Sequence, residues 1–77
     1  MRGMRITLKS FQQVEEFVSL ANSFSFPVIV GNESQRLSGK DLMGMFSLDY
    51  SRPLQVSFDC SDEEYLLFVT KAEKFLV

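Results

Sequence analysis

Lys40 to Asp49 reads KDLMGMFSLD, a charged opening followed by Leu42, Met43, Met45, Phe46 and Leu48, interrupted by Gly44 and Ser47. Pro53 follows closely and Asp49-Tyr50-Ser51-Arg52 has the composition of a connection, so the stretch reads as a helix of about two turns beginning after Gly39. Residues three and four apart are neighbours on a helix. Leu42, Met43 and Phe46 therefore share one side, and Met45 and Leu48 another. Both sides cannot face one core. One is buried, and the other is displayed to a partner or covered by a neighbouring loop, for which Asp49 to Arg52 is the candidate.

Working outward, Met4 to Leu8 alternates apolar and polar residues, the pattern of an edge or half-buried strand. Ser10 then caps a helix, with Gln13 completing an SxxQ box, and Phe11, Val14, Phe17, Val18 and Ala21 recur at helical spacing. Asn22 to Ser25 stops that helix. FPVIV, Phe26 to Val30, is the next strand, and Gly31-Asn32-Glu33 turns the chain into a short return strand over Ser34 to Leu37. Leu54 to Phe58 alternates again. Ser61 and Glu64 form a second capping box, opening a helix marked by Tyr65, Phe68, Val69, Ala72 and Leu76 that runs to the C-terminus. The order is β-α-β-β-α-β-α. It predicts an α+β open-faced sandwich, a four-stranded, mainly antiparallel sheet with three helices on one face.

Composition removes several functions. The chain has 77 residues with 45% hydrophobic and 23% charged content, enough for one core and too apolar for disorder. Its net charge is −2, with Lys and Arg scattered rather than striped, so nucleic acid is not an expected partner. The longest apolar runs, Phe26–Val30 and Tyr65–Val69, fall far short of the roughly 20 residues that span a bilayer. With no apolar secretory core at the N-terminus, a cytoplasmic protein is expected. The single Cys60 can form neither an intramolecular disulfide nor a zinc cluster and reads as a small buried or half-buried hydrophobe. There is no histidine, which removes the commonest general base and metal ligand together. No cofactor and no metal site are expected. Glu15, Glu16, Asp62, Glu63 and Glu64 lie on helix starts and solvent faces and read as a solvated surface.

The central motif resembles that of the HPr family, the small histidine phosphocarriers of the bacterial phosphoenolpyruvate-dependent sugar phosphotransferase system. Lys40, Met43, Gly44, Ser47 and Leu48 carry the resemblance, matching the family's KSIMGVMSLG. Leu42 to Pro53 is similar to the IMGIFSLDLSKP of a divergent clostridial-type branch. Weaker agreement comes from Phe17-Val18, from Leu54 to Phe58 and from Ser61 to Glu64. The resemblance implies an HPr-like fold and a single domain over residues 1–77.

The sequence departs from the family in two places. The family's active loop, roughly NGLHTRPA, carries the histidine that takes a phosphoryl group from enzyme I; here LKSFQQV stands in that place, shorter and without histidine, arginine or proline. Lys9, Ser10 and Phe11 thus mark a lost active-loop region, and Ser10, a weak nucleophile without a base, reads as a helix cap. Asp41 falls where Gram-positive members carry a regulatory serine phosphorylated by the HPr kinase. It reads first as an N-cap worth about 1 kcal/mol. The other reading is a built-in mimic of phosphoserine, with one charge where phosphate carries about −1.5 to −2.

In the family the side equivalent to Leu42, Met43 and Phe46 docks enzyme I, the kinase and a transcriptional regulator. The resemblance therefore implies a protein-binding patch there. The expectation is a non-enzymatic, HPr-like binding or regulatory module related to sugar transport, with an HPr-interacting enzyme, kinase or regulator as partner. The alternatives are a phosphocarrier-type transfer protein with a non-histidine acceptor, or a small-molecule-binding α+β module.

Overall fold

The structure is a computed structural model and describes residues 2–77. Strand β1 (Arg2–Ile6) leads to helix α1 (Phe11–Asn22), then strands β2 (Val28–Gly31) and β3 (Arg36–Ser38), helix α2 (Leu42–Ser47), strand β4 (Leu54–Phe58) and helix α3 (Asp62–Lys71), with a 3₁₀ turn over Glu73–Phe75. The strands form one sheet in the order β1-β4-β2-β3, and all three pairings are antiparallel. This is the α+β open-faced sandwich that the alternation and periodicity predict.

Period-two alternation sets the two faces of the sheet. Met4, Ile6, Val28, Val30, Leu54, Val56 and Phe58 are buried beneath the helices, while Gly3, Arg5, Ile29 and Gln55 face solvent. From α1, Val14, Phe17, Val18 and Ala21 join them. Phe68 of α3 is fully buried, with ring centroids 4.9 Å from Phe58, 5.2 Å from Phe24 and 6.1 Å from both Phe17 and Phe26. It is the point where the helical layer meets the sheet.

Element boundaries depart from the sequence reading where long-range pairing decides them. The first strand ends at Ile6, opposite Leu54, because Pro53 beyond it has no amide hydrogen to continue a ladder. The Thr7 amide donates instead to the Phe75 carbonyl (2.7 Å), and the Val77 amide to that of Arg5 (3.2 Å), so the C-terminal segment lies along β1. The return strand begins at Arg36, not Ser34, because Asn32 Oδ1 accepts the amides of both Ser34 and Gln35 at 2.9 Å and lengthens the turn. The last helix does not continue to the C-terminus. After Lys71 it tightens into the 3₁₀ turn, and Phe75, 2% exposed, enters the core where the helical period had placed Leu76, which is 38% exposed.

The capping boxes differ as well. At α3 both halves form, Ser61 Oγ accepting the Glu64 amide (3.1 Å) and Glu64 Oε1 the Ser61 amide (3.0 Å). At α1, Ser10 Oγ accepts the Gln13 amide (3.2 Å), but Gln13 Oε1 reaches back one residue further, to the Lys9 amide (2.8 Å).

Gly39 shows how closely the turn before α2 lies on the core. A Cβ there would stand 2.9 Å from Val30 Cγ2, 3.0 Å from Val28 Cγ1 and 3.3 Å from a Phe17 ring carbon. Two of these atoms belong to stiff β-branched side chains on the sheet. Gly39→Ala is therefore expected to destabilise by about 1–3 kcal/mol, an overpacking cost measurable by urea denaturation.

Candidate functional site

The motif helix is held in place by its flanks. Asn22 Nδ2, at the end of α1, donates to the carbonyls of Val18 (3.0 Å) and Lys40 (3.1 Å). Lys40 Nζ donates to the Phe24 carbonyl (2.7 Å). The motif lysine thus ties the start of α2 to the end of α1. Ser47 Oγ donates to the Gly44 carbonyl (2.6 Å), a helix-end role.

Within α2 the two sides part as the spacing requires. Met45 and Leu48 are 1% and 3% exposed, whereas Met43 is 78% exposed; Leu42 and Phe46 are half-buried. The displayed side does not stand alone. Phe11, the first residue of α1, is 65% exposed and meets the Phe46 ring edge-on with centroids 5.5 Å apart. The Tyr50 ring also meets Phe11 edge-on, with centroids 5.9 Å apart. Edge-to-face pairs at this separation are each worth about 0.5–1.5 kcal/mol beyond their area burial. The outcome is an aromatic and methionine surface built from the start of α1, the outer side of α2 and the loop after it.

Two members of this surface correct the sequence reading. Phe11 belongs to the apolar stripe of α1 by spacing, yet it does not enter the core: it is exposed and its ring packs edge-on against Phe46 of α2. Tyr50 lies in the segment read as a plain connection. That segment is a turn closed on itself: Asp49 Oδ1 accepts the Ser51 hydroxyl and, at 3.2 Å, the Ser51 amide. The hydroxyl, then the amide, holds the Asp49 carboxyl below its usual range. The loop therefore neither hides Met43 nor leaves the patch unsupported. An aromatic residue directly after the motif was the signal that could have found Tyr50.

Asp41 also differs from expectation. It occupies the N-cap position of α2 with extended backbone, but its carboxylate accepts no cap bond. Its Oδ2 lies over Gly44 instead, 2.7 Å from where a Cβ on that residue would stand, a place open because Gly44 has no side chain. With no cap bond to lose, Asp41→Ala is expected to change stability by less than about 0.5 kcal/mol, against the 0.5–2 kcal/mol typical of a lost cap (about 1). Thermal melts of the parent, Asp41→Ser and Asp41→Ala will show the three nearly superimposed.

Lys9, Ser10 and Phe11 lie together at the turn into α1. Ser10 acts as a cap and Phe11 as part of the aromatic surface. Cys60 is half-buried, and desolvation, with the Glu64 carboxylate second, pushes its thiol up. Among the described residues no His, Cys, Asp and Glu group could hold a metal ion, and no helix is long and apolar enough to cross a membrane.

The same architecture occurs in solved structures. HPr-C-His from Thermoanaerobacter tengcongensis superimposes with a TM-score of 0.77 at 23% identity, over 96% of this chain and 92% of that one. The phosphocarrier protein HPr from Bacillus anthracis gives 0.74 at 20% identity, over 96% and 95%. Crh, the catabolite repression containing protein of Bacillus subtilis, described as a domain-swapped dimer, gives 0.64 at 20% identity, over 94% and 87%. The chain has the HPr-like fold. No protein-family model matches the sequence, and no curated protein matches it.

Proposed function

We propose that this chain is a non-catalytic, HPr-like protein-binding module that acts in the regulation of sugar uptake without carrying a phosphoryl group. The observation that carries this reading is the exposed Met43, one turn from Phe46 on α2, with Phe11 packed on the Phe46 ring, on an HPr-like fold whose sequence has no histidine. Exposed aromatic and methionine side chains grouped on one face are the usual anchors of protein interfaces, and Leu42 borders them. Ser10, the residue nearest the family's histidine by sequence, accepts the Gln13 amide as a helix cap and has no imidazole to activate it.

The partner is an HPr-interacting protein: enzyme I, the HPr kinase or the regulator that senses serine-phosphorylated HPr. No enzyme activity, cofactor, nucleic acid or membrane enters this reading, and residues 1–77 act as one domain in the bacterial cytoplasm. Asp41, open to solvent beside Gly44, offers a fixed negative charge at the edge of the patch. Calorimetric titration of the chain against these three proteins from the same host tests the proposal. Saturable binding to at least one supports it; no heat change with any of the three counts against it.

A further inference from the structure

The face of the sheet turned away from the helices carries a feature that no part of the docking surface shares. In register, Arg5 of β1 pairs with Gln55 of β4, Gln55 with Gly31 of β2, and Gly31 with Arg36 of β3. One row therefore crosses the whole sheet with an arginine at each end and a neutral centre. Neighbouring strands are about 4.8 Å apart, so the two end positions are separated by roughly 14 Å, within which two extended guanidinium side chains can converge.

The end of the sheet nearest this row opens into a cleft of about 690 Å³, lined by Arg5, Arg36, Gln55 and Asn32 and by a third guanidinium, Arg52, from the loop before β4. The same Asn32 whose Oδ1 accepts the Ser34 and Gln35 amides fixes the loop that forms one wall.

The charge distribution here runs against that of the chain as a whole. Acids outnumber bases, 10 to 8, yet none of the four strands contains an Asp or Glu. The next row on this face, Gly3, Ser57, Ile29 and Ser38, is uncharged. Among the described residues Arg5 and Arg36 make no ion pair. Of the two carboxylates lining the cleft, Glu33 and Asp49, Asp49 is already engaged by the Ser51 amide, the Ser51 hydroxyl and, loosely, Arg52 at 3.9 Å. Three guanidiniums and two carboxylates thus line one cleft, an excess of one positive charge, and neither Arg5 nor Arg36 is ion-paired among the described residues. Planar guanidinium forks match the oxygens of phosphate and carboxylate groups.

We propose that the cleft over the Arg5-Gln55-Gly31-Arg36 row binds a small polyanion carrying phosphate or carboxylate groups, held by Arg5, Arg36 and Arg52. The site lies on the opposite face of the sheet from the helices and needs no protein partner, so it stands independently of the docking surface.

Inorganic pyrophosphate and, in a separate arm, citrate are titrated into the ¹⁵N-labelled chain at constant ionic strength, with amide shifts as the readout. For at least one probe the site predicts saturable shifts grouped at Arg5, Gly31, Arg36 and Gln55. The stronger arm identifies the phosphate or the carboxylate source. Arg36→Gln and Arg5→Gln, both at solvent-facing positions, should each weaken that binding about tenfold, the loss of one charge-assisted contact, with melting temperatures unchanged. Shifts that rise linearly with both probes, or binding in both variants as strong as in the parent, would overturn the assignment.

Discussion

Phe68→Ala is expected to destabilise the fold by about 3–5 kcal/mol, the range for a fully buried phenylalanine whose removal leaves a cavity. Four other phenylalanine rings surround it, the nearest, Phe58, at a centroid distance of 4.9 Å. They come from α1, the segment after it, and the β4 strand, so the neighbours cannot close the gap by moving one element. A domain of this size has about 5–15 kcal/mol of stability in all, and often the lower part of that range. Urea denaturation should therefore show the midpoint displaced by a large fraction of its parent value. Phe46→Ala provides the contrast. It is half-buried, and its loss should cost about 1 kcal/mol, a fraction of full burial. Equal losses for the two variants would mean that the outer side of α2 is core.

The largest effect on binding is expected from Met43→Glu. Met43 is 78% exposed, so a carboxylate there needs no burial in the free protein, and the melting temperature should hardly move. In a complex built on the Phe11, Met43 and Phe46 surface the same carboxylate would be desolvated against apolar groups. Affinity for whichever HPr partner binds should fall by about a hundredfold or more, equivalent to about 2.7 kcal/mol or above. Calorimetry on the folded variant measures it. Undiminished affinity would place the interface elsewhere.

Much of this arrangement was written in local patterns. Alternation in Leu54–Phe58 places its apolar residues on the covered face, the Ser61-Glu64 pair marks the start of α3 with both cap bonds formed, and the spacing within KDLMGMFSLD separates Met45 and Leu48 from Met43. These features depend on residues within a turn or two of each other. What local pattern did not reveal depends on partners distant in the chain. The end of β1 is set by Pro53, and the inward turn of Phe75 by its bond to Thr7. Phe11 fits an apolar stripe but meets Phe46 and Tyr50 instead of the core. Asp41 has the residue type of a cap, yet its side chain takes the space left by Gly44. The arginine row across the sheet is invisible until strand register is known, because its members are contributed by all four strands.

The central claim is that an HPr-like fold here serves docking without phosphoryl transfer. Mass spectrometry of the chain incubated with phosphoenolpyruvate and enzyme I from the same host tests it most directly, with an authentic HPr in a parallel reaction to show that the enzyme is active. The account predicts that HPr gains one phosphoryl mass while this chain keeps its own. A stoichiometric phosphoryl gain on this chain, abolished by Ser10→Ala, would contradict the account and make it a carrier with a non-histidine acceptor.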